Sequence, residues 1–159
     1  MSEKRKCLAV IRIRGTPNVI PDIRSTLEML HLNRVSHAIL VDDRPAYIGM
    51  LRKAQHYLAW GEISKDNLVF LLKKRGRLMG DKKLTDEYAQ KIGYNTLENL
   101  AEALYKTNVE YKSLPDVKPV FRLHPPSKGY KGTVRKSFRM GGSSGPCGEA
   151  INNLIKRMI

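Results

Sequence analysis

Cys7-Leu-Ala-Val-Ile-Arg-Ile-Arg14, followed by Gly15 and Pro17, is the stretch on which the fold turns. It is rich in β-branched residues and stops at turn formers, so it reads as a strand. Ile20, Ile23, Leu27 and Leu30 then recur at spacings of three, four and three. That is one face of a helix over 21–32, and Pro21 suits its first turn. Ala38-Ile-Leu-Val41 is a short apolar run consistent with a second, buried strand, punctuated by Asp42-Asp43-Arg44-Pro45. Tyr47, Leu51, Ala54 and Leu58 step onward at helical spacing, which predicts a second helix closing near Gly61 with Trp60 packed at its end. The first 60 residues therefore alternate strand, helix, strand, helix.

The following residues to 117 read as purely helical. Ser64 can cap a helix carrying Leu68, Leu71 and Leu72 that stops at Gly76; Thr85 and Thr96 open two more. Val120-Phe-Arg-Leu123 is a strand candidate, cut off by Pro125-Pro126, and it would complete the sheet. Residues 127–148 hold six of the twelve glycines and almost no apolar periodicity, so they read as an extended loop. Ile151, Leu154, Ile155 and Met158 mark a last helix.

Charge narrows the function class. The 159 residues carry 29 Lys and Arg against 15 Asp and Glu, a formal net charge of +14. Residues 61–117 are close to balanced, whereas 118–148 contain seven basic residues and no acid. A self-repelling excess segregated in this way points to a polyanion partner. In the loop, Lys128, Lys131, Arg135, Lys136 and Arg139 stand among glycines, with Tyr130 and Phe138 interleaved. Lys and Arg neutralise phosphates, aromatic rings stack on unpaired bases, and glycine lets backbone approach a surface closely. Lys73-Lys-Arg-Gly-Arg77 with Lys82 and Lys83 forms a second basic cluster at a helix C-terminus, more cationic than the helix dipole alone accounts for.

Tests for other chemistry come out thin. The longest apolar runs are five residues, Cys7 to Ile11 and Leu68 to Leu72, far short of the roughly 20 that span a bilayer. Met1-Ser-Glu-Lys-Arg-Lys6 leads straight into a strand-like run too short and too irregularly flanked to read as a signal peptide. Two cysteines 140 positions apart make neither a disulfide framework nor a metal motif. Gly141-Gly-Ser-Ser-Gly-Pro-Cys-Gly148 resembles a phosphate-cradling nest but lacks the P-loop pattern. Cys147 has no histidine near it in sequence to act as a base. Asp42-Asp43 lacks a third carboxylate, and capping the next helix is its simpler role. His31, His37, His56 and His124 form no ligand pair. The expectation is no catalytic residue, no metal and no cofactor.

Several motifs, in order, carry a likeness. Val120-Phe-Arg-Leu-His-Pro-Pro126, Gly129-Tyr-Lys-Gly132, Gly141-Gly142 and Ile151-Asn-Asn-Leu-Ile-Lys-Arg-Met-Ile159 resemble the C-terminal signature of the large ribosomal subunit protein thirty family, whose eukaryotic members are called protein seven. Ile11-Arg-Ile-Arg-Gly15, Thr26-Leu-Glu-Met-Leu30, Tyr57-Leu-Ala-Trp-Gly61 and Lys74-Arg-Gly-Arg77 are similar to its earlier landmarks. Chain length and the helical middle segment look archaeal; the sequence departs at Ser143–Glu149, where many relatives are more charged. The resemblance implies an α+β fold: a two-layer β-α-β-α-β core with a three-stranded sheet, ferredoxin-like in part. Residues 1–61 and 118–159 would form the RNA-binding core with a basic loop over 124–148, and 62–117 an inserted helical subdomain. It further implies a non-enzymatic, structural constituent of the cytoplasmic ribosome, bound to large-subunit rRNA beside neighbouring proteins and close to the 5S rRNA. A free-standing RNA chaperone or RNA-processing factor is the alternative. The residues expected to meet RNA are Arg12, Arg14, Arg34, Lys73, Lys74, Arg75, Arg77, Arg122, Lys128, Tyr130, Lys131, Arg135, Lys136 and Arg139.

Overall fold

A computed structural model describes residues 5–15, 19–130, 132 and 136–159. Strand β1 (Cys7–Arg12) is the centre of the sheet. It is followed by α1 (Pro21–Met29), β2 (His37–Asp42), α2 (Pro45–Lys53) and β3 (Leu58–Glu62). The element order is the expected β-α-β-α-β, but the strand that completes it is 58–62 in place of 120–123; β2 and β3 flank β1, both antiparallel to it. Proline occupies the first turn of α1 and of α2, where a missing amide hydrogen costs nothing.

Register shows why β1 reads as continuously apolar. Val10 lies opposite Ile39 and Trp60, and these residues pack on Leu27, Leu30 and Leu51 of the α1/α2 layer. Ile11, one step on, lies opposite Ala38 and Ala59 and faces the other way. Both faces are thus buried, so the strand shows no polar alternation.

The second face is covered by α3 (Lys65–Arg75), α4 (Asp86–Lys91), α5 (Leu97–Tyr105) and α6 (Ala150–Met158). Leu68, Leu71, Leu72, Leu100 and Ile151 share one core with Ala9, Ile11 and Ile63, so the helices of 62–117 have no core apart from the sheet. Ser64 caps α3 by accepting from the Asn67 amide, and Thr96 caps α5 by accepting from the Asn99 amide, both at 3.3 Å.

Three sequence expectations are corrected. The helix predicted to run through Leu58 ends at Lys53, and residues 58–62 are the third central strand. Leu58 satisfies helical spacing from Ala54, but Leu58 and Trp60 point to one face and Ala59 to the other, the period of a strand. The strand expected at 120–123 contracts to β4 (Phe121–Arg122), an edge strand paired antiparallel with β2. The segment expected as an open loop is partly folded. Phe138–Met140 form a 3₁₀ turn, and β5 (Gly145–Pro146) pairs parallel with β3, closing the five-strand order β4-β2-β1-β3-β5.

Candidate nucleic-acid interface

The C-terminal end of β1 and the start of β2 gather the first cations. Arg12 is 3% exposed, and its guanidinium donates to the carbonyls of Leu32 at 2.8 Å and Arg14 at 2.9 Å. Burial pulls its pKa down, with Arg24 adding repulsion and Tyr57 opposing. Arg12 therefore ties the loops after β1 and α1 together, a buried role in place of the phosphate contact expected of it. Arg14 is half-buried, with its guanidinium 4.9 Å from the centre of the Tyr57 ring. Arg34 is exposed. His37 pairs in register with Arg122 across β2 and β4. Burial lowers the His37 pKa, and the positive charges of Arg122, Arg34 and Arg12 lower it further. This edge is strongly electropositive.

The fold brings the 73–83 cluster to the same edge. Past α3, an antiparallel bridge joins Arg77 to Lys83, and another joins Leu78 to Val117. The Lys118 amide donates to Arg77 O at 3.0 Å, and the Met79 amide to Asp116 O at 2.8 Å. The tight turn at 78–82 is thereby fixed beside β4. Lys118 reaches Asp81 at 2.5 Å and Arg122 reaches the same carboxylate at 3.6 Å. Within the cluster, Lys73 pairs with Glu98 at 3.1 Å and Lys74 lies 5.9 Å from the Phe70 ring. Arg75 and Arg77 are half-buried, and Arg77 donates to the carbonyls of Lys74 and Gly76. Lys82 and Lys83 are exposed.

The basic loop is pinned at both ends. Arg157 of α6 donates to Gly129 O at 2.6 Å and Ser127 O at 3.3 Å, and the His124 amide donates to Met158 O. Lys128, Lys136 and Arg139 are exposed. Tyr130, expected to stack on a base, instead packs partly buried against the core, as does Phe138. Lys131 and Arg135 lie outside the described residues. The glycine-rich stretch that resembles a phosphate nest in sequence spends its amides internally. Gly142 donates to Ser137 O, Ser143 and Ser144 to Lys136 O, and Cys147 to Trp60 O. It is a strap that lays β5 against β3.

The groups weighed for chemistry have structural partners. Asp42 accepts two bonds from the Arg44 Nε and one from its Nη2, and Arg5 approaches the same carboxylate at 3.5 Å. Burial disfavours the Asp42 charge, yet these bonds outweigh it and hold the pKa below the usual carboxylate range. Asp43 accepts from the Lys6 amide. Cys147 is buried, with its thiol near the carbonyls of Gly145 and Ser143. Cys7 is buried beside Asp42 and Glu62, and burial above all pushes its pKa up to about 12. Among the described residues no group of three or more His, Cys, Asp or Glu is placed to hold a metal ion.

Two residues escape sequence reasoning. Lys118 offers only bulk charge to a reader of the chain, because its partner Asp81 is 37 positions away. Asn152, on the polar side of α6, accepts from the Ser64 amide at 2.7 Å and the Asn67 side chain at 3.1 Å, and it donates to Glu62 O at 3.2 Å. It joins α6, β3 and the start of α3, and no local pattern announces such a role.

Comparison with known proteins gives a consistent result. The profile of the family described as Ribosomal protein L30p/L7e matches residues 8–58, from β1 to the start of β3. The chain is 51% identical over 151 residues to the "Large ribosomal subunit protein uL30" of Thermofilum pendens, covering 94% of this chain and 97% of that protein. It is 51% identical to the protein of the same name in Methanobrevibacter smithii, covering 94% and 98%. With that of Ignicoccus hospitalis it shares 48% identity over 157 residues, covering 98% and 99%. All three sources are archaea, and the likeness spans the sheet, the helices of 62–117 and the basic C-terminal third alike. This chain belongs to the ribosomal protein L30p/L7e family.

Proposed function

We infer that this chain is a structural constituent of the archaeal large ribosomal subunit and binds folded large-subunit rRNA in the cytoplasm without catalysing a reaction. The observation that carries the reading is the segregation of charge: seven basic residues and no acid over 118–148, in a chain collinear with proteins named as large-subunit components. The exposed cations Arg34, Arg122, Lys128, Lys136 and Arg139 meet backbone phosphates, joined by Arg14 and by Lys73, Lys74, Arg75 and Arg77. Lys131 and Arg135 add to them. Such contacts position a protein on RNA and neutralise charge; the shape of the folded RNA supplies the selectivity. Residues 1–61 and 118–159 form the RNA-binding core in this reading; the helices of 62–117 brace the sheet from behind, while the basic cluster that follows α3 reaches the same RNA-facing edge as β4. The chain lies close to the 5S rRNA and its bound proteins.

Sedimentation of a cell lysate through a sucrose gradient after a high-salt wash tests this reading. Stoichiometric co-migration with the large subunit is expected; recovery only from the light fractions would refute it. Crosslinking within the intact subunit should recover large-subunit rRNA first and test contact with the 5S rRNA or its bound proteins.

A further inference from the structure

The two basic clusters, residues 73–83 and 118–148, hold six and seven cations and between them one acid, Asp81. That acid is not placed by chance of sequence. The turn that presents it is fixed by Leu78 donating to Lys82 O at 2.7 Å and Asp81 donating to Leu78 O at 3.0 Å. Asp81 itself adopts φ 61°, a left-handed conformation uncommon for a residue with a side chain. Lys118 Nζ and Arg122 Nη1 both converge on its Oδ1. Lys118 above all, then Arg122 and Arg77, hold the carboxyl below its usual range. Two cations, from the turn at 118 and from β4, therefore meet on one carboxylate whose side chain is itself 60% exposed, and Arg77, on the same turn, adds to the positive field around it.

We propose that Asp81 is a built-in counter-ion standing where an rRNA backbone phosphate docks, and that Arg77, Lys118 and Arg122 are the phosphate site it guards. This rests on the rRNA reading given above and adds a site and a control to it. A carboxylate and a phosphodiester both offer anionic oxygens to the same donors, and Arg makes charge-assisted, often bidentate bonds with either, so the two compete for one set of cations. Exposed ion pairs contribute little net stability, so displacing Asp81 into solvent costs little. In the free protein the carboxylate quiets three cations that would repel one another. On the ribosome the phosphate takes them over, and loosely placed anions compete with Asp81 for the site.

The test is filter binding of the full chain to isolated large-subunit rRNA at several salt concentrations, with Asp81→Asn and Asp81→Gly. Both residues accept the left-handed backbone, so at least one should melt within a few degrees of the wild type. Removing the competitor should tighten binding about three- to tenfold at moderate salt, as expected for one charge close to the contact. It should also steepen the slope of log K against log salt by up to about 0.9, one further phosphate neutralised. Lys118→Ala in the Asp81→Asn background should erase the gain. Unchanged or weaker binding by a folded Asp81 variant, with wild-type binding intact and salt-dependent, would overturn the counter-ion and leave the rRNA reading standing. Tightening towards a Glu-rich peptide but not towards RNA would likewise overturn it. Wild-type protein that fails to bind the rRNA would refute both.

Discussion

Replacing Gly61 with alanine is the sharpest mechanical probe of how the last helix is seated. A Cβ placed on Gly61 falls 2.1 Å from the carbonyl oxygen of Gly148 and 2.9 Å from a methyl of Ile151. The first obstacle is backbone at the start of α6, so relief requires the helix to lift from β3 as a unit. Overpacking of a tight core costs about 1–3 kcal/mol, and a backbone obstacle puts this site at about 3 kcal/mol. For a chain of this length each kcal/mol moves Tm by about 2–4 °C, which predicts a drop of about 6–12 °C. The same substitution at Gly49 is the internal control. Gly49 is an exposed residue inside α2, and a Cβ there would meet nothing within 4 Å, so alanine should stabilise by about 0.5–1 kcal/mol. Thermal melts by circular dichroism read both variants. Equal or like-signed shifts at the two positions would refute the close seating of α6 on β3.

Three further outcomes separate structural from RNA-facing groups. Asn152→Ala strands the Ser64 amide and the Asn67 side chain, and urea denaturation should show a loss of about 1–3 kcal/mol. Arg12→Met should lower Tm, since two carbonyls lose a buried cationic donor, while Arg122→Ala should leave Tm within about 2 °C and weaken rRNA binding; the reverse pattern would exchange their roles. The folded-state pKa of His37 lies below its ordinary value of about 6.5, so the unfolded chain takes up a proton that the folded one resists. Stability should therefore be unpenalised above that value and fall as pH drops below it, and His37→Gln should flatten the fall in melts between pH 7.5 and 5.5.

The sequence is most legible where a short stretch settles its own structure. The β-branched run of β1, the apolar face of α1, the Ser64 and Thr96 caps and the amphipathic stripe of α6 all lie where periodicity and capping place them. Strand β3 hides from such reading because four of its five residues, Leu58 to Gly61, are buried on both faces and show no polar alternation, Gly61 reads as a helix stop, and Leu58 completes a helical spacing by coincidence. The glycine strap hides because its composition is that of a flexible loop, whereas its amides are committed to Ser137, Lys136 and Trp60. In the basic surface, residue type announces the charge but not which charges are free. Arg12 looks like its neighbour Arg14 in sequence and is buried only because Leu32 O lies beside it in the fold. The meeting of Asp81 with Lys118 and Arg122 depends on packing between segments about 40 residues apart, and no local pattern encodes it.

The salt dependence of binding to isolated large-subunit rRNA tests the account at its root. If the exposed cations neutralise about 6–10 phosphates, affinity should fall about 10³–10⁵-fold between 50 and 200 mM salt, with a linear log–log slope. An affinity that stays flat across that range would contradict the account, because it would leave the +14 charge without the partner proposed for it.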